Sequence, residues 1–115
     1  MKKTKEEILT ELGMFIGTQN YYTYNGLKLT DGVKYLADSC EAYWLLDIIC
    51  SYQPNLKNEW MQVWILDVEQ DSGLVTCENG NKHALVQQFV EFTDFPLPTI
   101  KLFLIDGVIL LPSEY

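Results

Sequence analysis

Arginine is absent from the 115 residues, and histidine occurs once, at His83. Without arginine the chain lacks the side chain that most often makes bidentate contacts to phosphate. All eight basic residues are lysine, against sixteen acids, for a formal net charge of −8. A surface of that sign repels a nucleic-acid backbone, so direct DNA or RNA binding is the function most firmly excluded. One histidine excludes His-based metal clusters and confines any Ser-His-Asp triad to the neighbourhood of His83. That residue follows Lys82 beside a turn signal, which suits a surface position.

Other absences narrow the field further. The three cysteines, Cys40, Cys50 and Cys77, are odd in number and lack CxxC spacing. Neither a disulfide framework nor a zinc knuckle follows from them, and each reads as a small core hydrophobe. No GxxxxGK[ST] or GxGxxG loop is present to cradle phosphate, and neither HExxH nor GxSxG occurs. No cofactor and no metal site is expected. The longest apolar tracts, Tyr43–Leu46 and Val108–Leu111, are far too short to span a bilayer. The opening residues run straight into an amphipathic pattern instead of an apolar leader. The expectation is a cytoplasmic protein without membrane contact.

What the sequence does contain is one domain's worth of chain, 1–115, with 48% apolar and 21% charged residues. Its charge is skewed: residues 1–57 hold six lysines against seven acids, and residues 58–115 hold two against nine. Thr4 and Glu7 have capping-box spacing, and the apolar pattern after them predicts a helix over 4–16. Residues 18–24 read as a short strand or extended aromatic segment ended by Asn25-Gly26. Thr30 caps a helix beginning at Val33, and Ser39 is a second cap for a helix over 41–52 that stops before Pro54. This second helix is apolar nearly all round and should be central and buried. Five strands follow, over 60–69, 74–78, 82–93, 100–105 and 108–111. Their turn signals are Asp71-Ser72-Gly73, a type I′ Asn79-Gly80 and Asp106-Gly107. The expected fold is α+β, with N-terminal helices packed on one face of a C-terminal antiparallel meander of about five strands.

Three groups of residues are candidates for more than packing. Asp47 sits on an apolar helix near Tyr43 and Trp44, where an ionised carboxylate needs donors or a raised pKa. Tyr21, Tyr22 and Tyr24 with Thr30 and Asp31 gather phenols at a helix start, a place that can hold anions and suits a small-molecule or peptide site. Asp67, Glu69, Asp71, Glu78 and Glu91 form an acidic surface on the first three meander strands. As a bland reading it is a solvated face that discourages edge pairing; as a sharper one it imitates nucleic-acid phosphates.

The blocks Phe15–Tyr22, Thr30–Ala37, Tyr43–Asp47, Thr93–Leu97 and Leu111–Tyr115 resemble a domain-of-unknown-function family of small proteins from bacteria and their phages or mobile elements. The resemblance covers nearly the whole chain. It implies a fold and a genomic setting and carries no catalytic residue. It does mark Thr30, Asp31, Asp47, Asp94, Glu114 and Tyr115 as motif positions. The expected function is a non-enzymatic module, of phage or mobile-element origin, that binds a partner protein. Its alternatives are a nucleic-acid-mimic inhibitor, a small-ligand binder or modest enzyme using Asp47 and Asp31, and a homodimer joined through an uncovered sheet face.

Overall fold

Local capping starts the structure as the spacing predicts. In a computed structural model that describes residues 3–115, the Thr4 hydroxyl accepts from the Glu7 N–H at 3.1 Å. The Glu7 carboxylate in turn accepts from the Thr4 N–H at 3.0 Å. Helix α1 (Lys5–Leu12) buries Ile8 and Leu12 and stops at Gly13. It is shorter than the expected 4–16, because glycine is a poor helix residue and the chain beyond it turns outward. Met14 and Ile16 are left exposed.

Asn25-Gly26 does more than end a segment. Both residues have positive φ, 48° and 85°, the pair a type I′ turn requires. They fold strand β1 (Tyr22–Tyr24) back onto β2 (Leu27–Leu29). Helix α2 (Asp31–Cys40) follows with Thr30 as its cap, and Glu41 closes it in the left-handed region at φ 51°. Ser39 therefore lies inside α2 and is not a cap; α3 (Tyr43–Tyr52) begins without a side-chain cap. A short 3-10 turn, Gln53–Asn55, carries the chain past Pro54. Among the described residues no helix is long and apolar enough to cross a membrane.

The remaining strands are β3 (Met61–Glu69), β4 (Ser72–Asn79), β5 (Ala84–Val90), β6 (Thr99–Ile105) and β7 (Val108–Leu110). The α+β class holds, but the sheet has seven strands in the order β1-β2-β7-β6-β3-β4-β5. It is mixed, since β2 pairs parallel to β7. Two features depart from a sequential meander. The aromatic segment joins the sheet as a hairpin, and β6 returns to the far side of β3 in place of following β5. Asp106-Gly107 is the tight turn its residues suggest, with φ 51° and 76°. Asn79-Gly80 is not. The Asn79 side-chain oxygen accepts from Asn81 N–H and His83 N–H. That holds a four-residue loop in which Lys82, at φ 63°, takes the left-handed position.

Burial alternates along the central strands. Gln62, Trp64 and Leu66 on β3, Gly73, Val75 and Cys77 on β4, and Leu102 and Leu104 on β6 are buried. They join Leu36, Leu46 and Ile49 from the helices in one core. Tyr52 stacks on Trp64 with ring centroids 6.0 Å apart, and its hydroxyl donates to the Gln88 side-chain oxygen at 2.7 Å. Gln62 is an amide buried inside a strand, and every polar atom on it is used. It exchanges two bonds with Gln53, at 2.9 and 3.0 Å, and accepts from the Trp64 indole N–H at 2.9 Å.

The other set of alternating residues forms rows through the register. Met61, Ile105, Val108 and Lys28 make one row; Glu78, Val63, Phe103 and Leu110 make the next. Gln87, Thr76, Ile65 and Lys101 follow, then Phe89, Leu74, Asp67 and Thr99. Tyr115 meets Phe103 edge-on at 5.7 Å.

Candidate functional site

The motif positions separate into two locks and several surface residues. The first lock is at the start of α2. The Thr30 hydroxyl accepts from Val33 N–H as a cap and donates to Glu114 at 2.6 Å. The Glu114 carboxylate also accepts from Gly32 N–H at 3.0 Å and Leu111 N–H at 2.9 Å. A carboxylate at a helix N-terminus satisfies orphan donors and faces the positive end of the helix dipole. Glycine at position 32 makes this approach possible. A Cβ there would stand 2.5 Å from the Leu111 Cδ1 and 2.8 Å from a Glu114 oxygen. The Thr-Asp-Gly and Leu-Pro-Ser-Glu blocks, 84 residues apart at Thr30 and Glu114, are two halves of one contact.

The second lock fastens the β1–β2 hairpin to the helices. Tyr22 and Tyr24 alternate onto the same face of β1. The Tyr22 hydroxyl donates to Asp31 at 3.0 Å, and the Tyr24 hydroxyl donates to Asp47 at 2.5 Å. Asp31 also accepts from the backbone N–H groups of Gln19, at 2.9 Å, and Asn20, at 3.4 Å. The Gln19 N–H is the main cause that holds the Asp31 carboxyl below its ordinary pKa, with Tyr22 and Asn20 acting the same way against desolvation. The bond to Asp47 pushes the Tyr24 phenol up to about 12. Asp47 itself is exposed and takes a second bond from the Asn25 amide at 3.4 Å.

Tyr43 stands beside this lock without bonding Asp47. Its ring lies 5.5 Å from that of Tyr24, while its hydroxyl donates to Asp38, which also pairs with Lys34 at 2.7 Å. The Lys34 ammonium lies 5.7 Å from the Tyr22 ring and 5.9 Å from the Tyr43 ring. This pair was missed in the sequence, although the i,i+4 spacing of Lys34 and Asp38 on a helix is a signal that could have found it; nothing in the spacing points to Tyr43. Trp44 is half-buried against the core, Tyr21 and Tyr115 are exposed, and Asp94 lies on the surface of the loop after β5.

The acidic residues do not form one patch. Asp67 and Glu69 lie near the β3–β4 turn, Asp71 is within that turn, and Glu91 follows β5 at the same end of the sheet. The Asp71 carbonyl accepts from Thr93 N–H at 2.7 Å, binding the two turns together. Glu78 is at the opposite end of β4, opposite Val63. Among the described residues no three His, Cys, Asp or Glu side chains are placed to hold a metal ion. Burial raises the Cys77 thiol to about 12 and the Cys40 thiol to about 11, away from the reactive thiolate.

The profile of a family of unknown function (DUF6876) matches residues 6–115, and the chain belongs to that family. No curated protein and no solved structure matches it.

Proposed function

We propose that this family member is a non-enzymatic interaction module that receives another protein on the sheet face opposite the helices. One observation carries the reading. Met61, Val63, Phe103, Ile105, Val108 and Leu110 adjoin one another in the register, and apolar surface gathered in this way marks a contact site. Lys28, Lys101, Asp67 and Glu78 border those side chains. With a net charge of −8 on the chain, the complementary partner surface is apolar with a basic rim. Support also comes from the carboxylates at motif positions. Asp31, Asp47 and Glu114 accept hydrogen bonds from their own fold, an arrangement suited to holding a scaffold.

A photo-crosslinking amino acid in place of Phe103, in cells of the native source, tests this. The expected result is one discrete protein adduct that disappears with Ile65→Lys while the melting temperature stays unchanged. Absence of an adduct, or adducts indifferent to that substitution, would overturn the reading. An adduct with a nucleic-acid-handling protein, displaced by added DNA or RNA, would favour the mimic instead. It would move the working surface to Asp67, Glu69, Asp71 and Glu91.

A further inference from the structure

We infer that the cleft between the loop after α3 and the β6–β7 turn binds a saccharide that bears an acetamido group. The cleft lies on the helix side of the sheet, so the inference stands apart from the function proposed for the open face.

The loop that leads into β3 is folded tightly on itself. Leu56 N–H donates to the Gln53 carbonyl and Glu59 N–H to the Leu56 carbonyl, both at 3.0 Å. Across from this loop, Asp106 and Gly107 turn the chain from β6 into β7. Between them is a cavity of about 440 Å³, within the roughly 300–1,000 Å³ of small-molecule sites. Trp60 lines it and is 68% exposed, whereas Trp64 is 2% exposed in the core and Trp44 is half-buried. An indole left in water beside a cavity marks a contact surface. The tight turns hold that ring in place before a ligand arrives, which lowers the cost of binding.

The charges around the cleft select a neutral ligand. An anion meets Glu59 and Asp106, and a cation meets Lys57. Lys57 is paired with neither acid, since the ion pairs among the described residues are Lys3–Glu11 and Lys34–Asp38. Together with Asn58, these side chains offer donors and acceptors to a ligand that carries both, as hydroxyl groups do. A pyranose ring also has a face of C–H bonds, whose partial positive charge rests against the negative face of an indole. Trp60 supplies that face, and its polar neighbours supply partners for the hydroxyls.

The deeper lining specifies the acetamido group. Leu27, Leu56 and Leu104 make it apolar, and Gln62 adds an amide to it. Gln62 is 2% exposed and is held by Gln53 and Trp64. Its Nε2 carries two N–H groups, of which the Gln53 oxygen takes one at 2.9 Å. An acetamido carbonyl that reaches this depth accepts from the second, while its methyl lies against the leucines. A site built around such a donor discriminates against an analogue without the matching acceptor. A second hollow of about 460 Å³ adjoins the first, sharing Leu27, Gln53 and Lys57, and continues toward Asn25, Cys50 and Pro54. The groove therefore has room for a second ring.

The experiment is an NMR titration of the isotope-labelled full chain with N-acetylglucosamine, its dimer N,N′-diacetylchitobiose, and glucose. N-acetylglucosamine should shift the Trp60 indole N–H and Gln62 side-chain signals saturably, with a Kd of about 1 mM. The dimer should bind more tightly, and glucose about tenfold more weakly. Trp60→Ala should weaken binding about tenfold without moving the melting temperature. Trp60→Phe, which keeps a flat ring, should retain most of the affinity. Ile65→Lys, on the open face, should leave the titration unchanged. Absence of saturable shifts with both acetylated sugars overturns the inference, as does binding indifferent to Trp60→Ala. Glucose bound as tightly as N-acetylglucosamine would overturn the assignment of the acetamido group.

Discussion

The two edges of the sheet are built on opposite plans. At one edge β1 is three residues long, and Tyr22 and Tyr24 are bonded to Asp31 and Asp47 on the helices. At the other, β5 is seven residues long, with Phe89 64% exposed. Polar side chains near the first edge hold the fold together, while at the second the Phe89 ring faces outward and Leu85, Val86 and Val90 pack against the core. Hydrophobicity alone would rank these residues in the wrong order for stability, because donors bonded to a carboxylate are costly to strand where they are part-buried and an exposed ring is not costly to lose. Substitutions at the two edges put that inversion to the test.

The largest effect is expected at Glu114, beside the start of α2. Glu114→Ala leaves Gly32 N–H, Leu111 N–H and the Thr30 hydroxyl without their acceptor. Stranding partly buried donors costs about 2–3 kcal/mol, read as a fall in the urea midpoint with an unchanged slope. Glu114→Gln keeps an acceptor oxygen and should lose about half as much. Gly32→Ala should resemble the alanine variant, since its Cβ would push the carboxylate off those donors. If Glu114→Ala unfolds like the wild type, the lock does not hold the fold.

These contacts also explain what the sequence could and could not disclose. Caps and tight turns were legible at Thr4–Glu7, Thr30 and Asp106-Gly107, because each depends on neighbours within a few residues. The Asn79 loop was misread, since a side chain taking two backbone N–H groups outweighs the dipeptide's turn preference. The parallel pairing of β2 with β7, and the return of β6 to β3, were not legible, because strand order depends on contacts between distant segments. Asp47 illustrates the same limit within the candidate site. Helical spacing brings Tyr43 and Trp44 near it, yet its donors are Tyr24 and Asn25, from a hairpin that periodicity did not reveal.

A middle-sized effect belongs to Tyr24, on the guarded edge. Tyr24→Phe removes its bond to Asp47 and should cost roughly 0.5–1 kcal/mol at neutral pH, the value of one charge-assisted bond in a part-exposed place. The phenol's pKa is raised in the folded protein, from 10 to about 12, so its contribution is complete below pH 10 and is lost as the pH rises toward 12. Melting temperatures between pH 8 and 12 should therefore fall less steeply for Tyr24→Phe than for the wild type. Parallel curves would show that the bond does not stabilise the folded state.

The smallest effect is expected at Phe89, although phenylalanine is the largest apolar side chain on β5. Phe89→Gln removes a ring that is 64% exposed in the monomer, so little transfer free energy is lost with it. At concentrations where the chain is monomeric the change in stability should stay within about 0.5 kcal/mol. The same substitution removes an exposed ring from the sheet face proposed to receive another protein, so association with that partner should weaken while the unfolding midpoint hardly moves. A ring that mattered to the fold would give the reverse pattern, with a lower midpoint and unaltered association. Measuring both quantities on one variant therefore separates a ring placed for contact from a ring that packs into the fold.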